Sequence, residues 1–343
     1  MIKNVNSQQP PVEISNNPNI SIIGRHTVID GMLACDWSNS GFTFVFSGTG
    51  FIVSLGEYTD SIPAYVVFFV DGKRQRFAVV NGSEKLVIEG LPFKRHKVTV
   101  LRVTEGEIPL LFSTVSIIGP NSEFLNPPHK YPRKIEFIGD SITAGYGVLG
   151  LPSDPTYLTY QQDSTYSYAF IAASSLDAEI RTLCISGKGI ICNCEGNRED
   201  VRGIEYCDYL TRKGGTVNDS WVPGVVVINL GTNDSGGAVP DEEFTEAAKE
   251  LILHNRKKYP DAHIIWLYGM MNQPYVSALK NAFRDLIPED KKLHLMITES
   301  IYSQEHEVGA NGHPNVRANV RVASELTKKI RSITDWKTAK SEH

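Results

Sequence analysis

The chain has 343 residues, 41% hydrophobic and 21% charged, which is an ordinary globular balance and enough length for two domains. Its net charge is −5 at pH 7, from 34 Lys and Arg against 39 Asp and Glu. No block of basic residues stands out, which argues against nucleic acid or an anionic membrane as a partner, and no window is apolar enough to span a bilayer.

Residues 1–18 are rich in Asn, Pro, Gln and Ser and read as a loose lead-in. The opening Met1-Ile2-Lys3-Asn4-Val5-Asn6-Ser7 has no apolar signal core. The five cysteines, Cys35, Cys184, Cys192, Cys194 and Cys207, form an odd, clustered set that suits reduced thiols better than a disulfide framework. Both features favour the cytoplasm.

Over residues 19–126 the pattern turns to short alternating apolar runs. Phe42-Thr43-Phe44-Val45-Phe46, Phe51-Ile52-Val53-Ser54-Leu55, Tyr65–Val70 and His96–Leu101 are examples. Turn signals separate them at Ser47-Gly48-Thr49-Gly50, Asp71-Gly72 and Asn81-Gly82. Strands at a spacing of roughly 8–12 residues predict an all-β sandwich of jelly-roll type. A linker is expected over 127–133, signalled by Asn126-Pro127-Pro128.

From 134 to 337 the texture becomes α/β, before a short tail at 338–343. Strands are expected at 134–138, 180–185, 225–230, 263–268 and 293–297, with helices at 242–259 and 316–333 among those between them. The alternation predicts a doubly wound parallel sheet with helices on both faces.

Four signals fall in order through this half. Ile135, Phe137 and Ile138 lead into Gly139-Asp140-Ser141 and then into a helix start at Ile142. Ser141 therefore sits where a strand hands over to a helix, beside free backbone N–H groups that can stabilise an oxyanion; alone, it reads equally as a plain N-cap. Ser186-Gly187-Lys188-Gly189 follows the next strand, where a glycine admits a close ligand or simply makes a turn. Gly231-Thr232-Asn233-Asp234 ends the 225–230 strand, and the Asn233 amide can donate to an oxyanion or close an Asx-turn. Gly309-Ala310-Asn311-Gly312-His313-Pro314 precedes the last helix, so His313 can reach back over the sheet. His254, His263 and His294 occupy ordinary helix or strand positions.

The order Ser, Gly, Asn, His, each at an element end, resembles the SGNH (GDSL-type) hydrolases. With the N-terminal sandwich, and with Asp36-Trp37-Ser38, Val70-Asp71-Gly72, Gly269-Met270-Met271 and His313-Pro314, nearly the whole chain is similar to carbohydrate esterase family 2. The resemblance implies a serine esterase without metal or cofactor, removing acetyl groups from plant-type glycans such as xylan, mannan or glucomannan. Ser141 is then the nucleophile and His313 its base. The Ser141 and Gly187 amides and the Asn233 side chain form the oxyanion hole. With no leader in view, acetylated oligosaccharide rather than intact polymer is the expected substrate.

The superfamily often has an acid two residues before the histidine; here that residue is Asn311. A backbone carbonyl can orient His313 in a Ser–His dyad, Glu305 or Glu307 can substitute, or Asn311 marks an inactivated form. Asn311-Gly312 is also a deamidation-prone pair that can supply a carboxylate with age. The rival readings are another SGNH lipase, thioesterase or arylesterase, and a carbohydrate-binding protein with a silent hydrolase domain. Cys192-Asn193-Cys194 looks metal-like but has no second pair. Tyr157, Tyr160, Tyr166 and Tyr168 read as packing, with one ring available to stack on a sugar. Met270 and Met271 either line an acyl pocket or fill core.

Overall fold

The computed structural model describes residues 9–80, 82–126 and 131–336. The chain divides into two compact units, 1–130 and 131–343.

The first unit is built from strands β1 (Val12–Glu13), β2 (Ile20–Ile23), β3 (Thr27–Ile29), β4 (Met32–Cys35), β5 (Gly41–Gly48), β6 (Gly50–Tyr58), β7 (Ala64–Val70), β8 (Lys73–Val79), β9 (Gly82–Ile88), β10 (Lys94–Arg102), β11 (Leu110–Ile118) and β12 (Glu123–Phe124). They form two antiparallel six-stranded sheets. One runs β3-β4-β11-β6-β9 with β1 added on β11, and the other runs β12-β5-β10-β7-β8 with β2 added on β5. The eight strands β4 to β11 thus split as 4-11-6-9 and 5-10-7-8, the order of a jelly roll. The chain changes sheet at nearly every connection. The exceptions are β3 to β4 and β7 to β8, where Asp30-Gly31 (φ 49° and 78°) and Asp71-Gly72 (φ 50° and 80°) close tight two-residue hairpins. Asn81 of the third expected turn lies outside the described residues.

Aromatic residues from the two sheets meet in the middle. Phe42 lies 5.4 Å from Phe112, and Phe44 and Phe46 pack edge-on against Phe51 at 5.5 and 5.7 Å. The inward residues at period two, such as Val66, Phe68, Val98 and Val100, complete this core. The described part of the expected loose lead-in departs from expectation. Val12 and Glu13 pair with Val115 and Thr114, and Ile14 is fully buried in the core. Val12 and Ile14 supply apolar residues two apart, which suits an added strand and outweighs the polar composition around them. Residues 127–130 of the expected linker, and the tail, lie outside the described residues. Arg133, also assigned to that linker, already opens a strand.

In the second unit the strands are β13 (Arg133–Gly139), β14 (Ala178–Cys184), a small β15–β16 hairpin (Tyr209–Thr211, Gly214–Thr216), β17 (Val225–Asn229), β18 (His263–Tyr268) and β19 (Leu293–Ile297). The helices are α1 (Ser141–Ala144), α2 (Tyr168–Ser175), α3 (Gly203–Tyr206), α4 (Asp241–Lys258), α5 (Val276–Leu286) and α6 (Val316–Ile333). Five strands pair in parallel in the order β14-β13-β17-β18-β19. All five residues of β17, Val225–Asn229, are buried, as a strand covered on both faces requires.

The strand order reverses at β13. Right-handed crossovers to opposite sides of β13 put helices on opposite faces, where α2 packs with α6 and α4 with α5. Each long helix reads locally as one. α4 begins with Asp241, Glu242 and Glu243 and ends with Arg256, Lys257 and Lys258, matching the helix dipole at both ends. α6 buries Ala318, Val322, Leu326 and Ile330 at four-residue spacing. In such a sheet the crevice at the carboxyl ends of the strands beside the reversal is where ligands bind. Here those are the ends of β13 and β17.

Candidate active site

β13 ends at Gly139. A Cβ there would stand 2.0 Å from Thr143 Oγ1, so only glycine lets the chain turn back this sharply. Asp140 follows as N-cap, its carboxylate accepting from Ile142 N at 3.0 Å. The helix it caps is one turn long and stops at Gly145, in the left-handed region at φ 72°. Ser141 opens that turn, buried and facing the crevice end of the sheet.

His313 arrives from the loop before α6. That loop is pinned at several points. Asn315 caps α6 through Arg317 N and Ala318 N, and Asn319 accepts from Tyr168 N at 2.8 Å, tying α6 to α2. Ala310 N donates to Gly147 O at 3.1 Å. The result brings His313 Nε2 within 2.9 Å of Ser141 Oγ. On the other side of the ring, Nδ1 lies 3.0 Å from the backbone carbonyl of Asn311. A carbonyl can only accept, so Nδ1 carries the hydrogen and Nε2 presents its lone pair to the serine hydroxyl.

At position 311 it is the main chain, not the side chain, that meets the ring. Asn311 takes the left-handed conformation, φ 49° and ψ 39°, which swings its carbonyl under the imidazole. Its side chain points elsewhere, donating to Tyr146 Oη at 3.4 Å. The carboxylates considered as substitutes are engaged: Glu307 with Arg321 at 2.7 and 2.8 Å, and Glu305 with His306 at 2.9 Å.

The three expected oxyanion donors come from neighbouring strand ends. Gly139 pairs with Cys184 and with Asn229, so the segments after β14 and β17 flank Ser141. Gly187 is in the left-handed region at φ 79°, and its N–H, like that of Ser141, has no hydrogen-bond partner among the described residues. Asn233 differs from expectation: its amide donates to Asp140 Oδ2 at 3.0 Å and to Lys188 O at 2.9 Å. Both of its hydrogens are therefore engaged, which orients the group but leaves no donor idle.

Two contributors escaped the sequence reading. Asp234, fully buried, accepts from three consecutive amides, Ile190, Ile191 and Cys192, at 2.7–3.1 Å. It fastens the turn after Gly187 to the end of β17. Burial pushes its carboxyl up, against the pull of those amides. The acid of Gly-Thr-Asn-Asp was the available signal. Tyr146 packs its ring 4.4 Å from that of His313, with Tyr157 stacked behind it at 3.9 Å; its place five residues after Ser141 was the only hint.

The remaining candidates sort simply. Tyr168 is buried against Thr143, Tyr160 is exposed, and Tyr157 donates to Gln162 at 2.6 Å. Met270 is core, against the Asn229 amide. Cys192 is buried, with its thiol toward Asp234 O, and Cys194 is exposed. Among the described residues, Cys207, Asp208 and His254 form a metal-like group within 4.8 Å. One Asp208 oxygen holds Lys258 at 2.7 Å and the other His254 at 2.7 Å. An ammonium on the carboxylate makes this an ion-pair cluster.

A GDSL-like lipase/acylhydrolase family model matches residues 137–294, and a carbohydrate esterase 2 N-terminal model matches residues 22–128. Over 339 residues the chain is 30% identical to the cellulase/esterase CelE of Acetivibrio thermocellus, covering 94% of this chain and 40% of that protein. It is 22% identical over 342 residues to an acetylxylan esterase / glucomannan deacetylase of Cellvibrio japonicus, covering 94% of this chain and 91% of that one. A family two carbohydrate esterase from Clostridium thermocellum, solved with cellohexaose, aligns with 93% of this chain and 100% of its own at a TM-score of 0.85 and 28% identity. With both domains matched in order, this chain carries a carbohydrate esterase 2 N-terminal domain followed by a GDSL-like lipase/acylhydrolase domain, and its structural neighbours include family 2 carbohydrate esterases.

Proposed function

We propose that the protein is a serine esterase that removes O-acetyl groups from plant-type oligo- or polysaccharides, xylan, mannan or glucomannan, through Ser141 and His313. The observation that carries this reading is the 2.9 Å contact between Ser141 Oγ and His313 Nε2, with Nδ1 fixed on a carbonyl. The relatives named for acetylxylan and glucomannan support the choice of glycan.

Ser141 Oγ attacks the acetyl carbonyl carbon as its proton passes to His313 Nε2. The tetrahedral oxyanion is met by the Ser141 and Gly187 amides and by Asn233, which shifts one hydrogen from its present acceptors to the oxyanion. Collapse returns the Nε2 proton to the sugar oxygen and leaves acetyl on Ser141. Water then repeats the sequence, with His313 as base, and releases acetate. Asn311 orients the imidazole through its main chain, so the absence of an acid at 311 is compatible with turnover. No step calls on a metal, and a chelator leaves acetate release unchanged.

The test is acetate release from acetylated xylo- and manno-oligosaccharides. Turnover that disappears in Ser141→Ala and in His313→Ala supports the reading, and oligosaccharide binding without turnover opposes it. One observation favours a second reading. The segment that packs on Ala310 exposes Leu149, Leu151, Leu158 and Tyr160, an apolar rim suited to longer acyl or aryl esters. A higher kcat/KM on butyrate than on acetate esters would favour that rival.

A further inference from the structure

His313 hydrogen-bonds through Nδ1 to a backbone carbonyl, at the place where the serine-protease triad has a carboxylate to stabilise the imidazolium formed when serine gives up its proton. A backbone carbonyl orients the ring but carries no net charge. What else touches this ring is therefore the question of how the positive charge is tolerated.

The ring meets Ser141 from α1, the Asn311 carbonyl from its own loop, and the face of Tyr146 from the segment after α1. The Tyr146 centroid lies 4.4 Å from that of His313, with the planes 40° apart. Tyr157 backs it at 3.9 Å and 19°, so Tyr146 has aromatic rings on both sides and little freedom to tilt. Its hydroxyl accepts from the Asn311 side chain at 3.4 Å, and its N–H donates to Ser141 O at 3.0 Å. One residue thus touches the serine turn, the histidine ring and the residue whose carbonyl orients that ring.

The charged and titratable groups on adjoining elements have other partners. Glu307 is held by Arg321 of α6, and Glu305 by His306. The Tyr302 hydroxyl is spent on Gly312 O at 2.9 Å.

We infer that Tyr146 is a positioning residue whose ring face does part of the work that a carboxylate does in the serine-protease triad, holding the His313 ring in line with Ser141 and favouring its charged form during acyl transfer. An aromatic face within about 6 Å of a cation attracts it through the ring quadrupole. The attraction grows as the proton arrives at Nε2, so it acts on the transition state more than on the resting enzyme. The inference rests on the Ser141–His313 reading proposed above.

The experiment compares Tyr146→Phe, Tyr146→Leu and Tyr146→Gln in the full chain, following acetate release against pH. Tyr146→Phe keeps the ring and loses the long contact to Asn311, so its kcat stays within about threefold of the parent. Tyr146→Leu and Tyr146→Gln lose the ring: kcat falls roughly tenfold to thirtyfold, with a smaller change in KM. The acid limb of their pH profile also moves, to lower pH by roughly one unit, because the protonated ring has lost its support. A protein that had only lost packing would give fewer active molecules with the limb unmoved.

Two ringless variants are used so that misfolding of one, seen by circular dichroism, leaves the other to decide. Failure of both to fold is resolved by Tyr146→Phe and by Tyr157→Ala, which frees the Tyr146 ring and lowers kcat with the same displacement of the limb. The inference is overturned if the ringless variants match the parent, if Tyr146→Phe loses as much as they do, or if kcat falls with the limb unmoved. Ser141→Ala and His313→Ala run alongside. If those two stay active, the dyad reading itself is wrong; if they are dead while the Tyr146 series is flat, only the present inference fails.

Discussion

At position 311 the side chain and the main chain have separate tasks. The carbonyl faces His313 Nδ1, and the amide side chain faces Tyr146. Asn311→Asp therefore puts the new carboxylate at Tyr146 and not at the imidazole, and kcat stays within about threefold of the parent. In the serine proteases, where the acid itself contacts the ring, exchanging Asp and Asn changes kcat by about 10⁴. Deamidation, for the same reason, gives no gain in activity. Asn311→Gly also keeps activity, since glycine holds the left-handed conformation without strain, whereas Asn311→Val forces a branched side chain into φ 49° and lowers both stability and turnover. Thermal melts and acetate release on the three variants separate backbone from side chain. At Asn233, removing the amide in Asn233→Ala lowers kcat by roughly 10²–10³, the usual effect of one lost oxyanion donor, and also unties Asp140 from Lys188 O.

At the level of elements, the loops after β14 and β17 are one unit because Asp234 joins them. Replacing its carboxylate in Asp234→Ala strands three buried amides, each costing about 1–3 kcal/mol when left unpaired. The expected result is a lowered melting temperature together with a fall in kcat, since Gly187 begins the turn that Asp234 holds. β18 and β19 carry a different device. His263 Nδ1 and His294 Nε2 sit 3.0 Å apart across the two strands. Burial, then Lys329 and His263, hold the His294 ring down at about 4, and burial with Lys292 and Arg256 lowers His263. A base whose folded value lies below its unfolded one binds fewer protons folded than unfolded. Stability is then complete above the unfolded value near 6.5 and declines as pH falls through about 4. Melting temperature measured from pH 7 to pH 4 should fall, and His294→Gln should flatten that slope.

Legibility differed between elements for physical reasons. β13, β17 and β18 announce themselves through β-branched and aromatic runs, β19 through a short apolar run, and α6 through its four-residue stripe. Val12–Glu13 went unseen because a two-residue strand has no period to detect, and its pairing with Val115 and Thr114 is set a hundred residues away. Ser141, Gly187, Asn233 and His313 stood out because each stands at an element end, within two residues of a glycine. Tyr146 was not, since a ring that stacks on another ring leaves no spacing in the sequence. The Asn311 contact was half legible: the sequence showed which residue stood there, and only the backbone conformation showed which of its oxygens faces the histidine.

For the whole molecule, the strand order β14-β13-β17-β18-β19 explains why the four residues converge. The reversal at β13 opens a crevice at the strand ends that deliver Ser141 and Asn233, Gly187 follows the neighbouring strand, and the loop into α6 returns His313 across the same edge. The jelly-roll unit matches the N-terminal module of the same esterase family, so the order of the two domains along the chain agrees with the chemistry read from the second. The central claim is that a serine–histidine pair whose imidazole is oriented by a backbone carbonyl sustains acetyl transfer from sugars. Its most direct test is acetate release from an acetylated xylo- or manno-oligosaccharide by the parent, Ser141→Ala and Asn311→Asp. The account predicts robust turnover by the parent, loss of roughly 10⁴-fold or more in Ser141→Ala, and little change in Asn311→Asp. Weak turnover by the parent that rises by orders of magnitude in Asn311→Asp would contradict it.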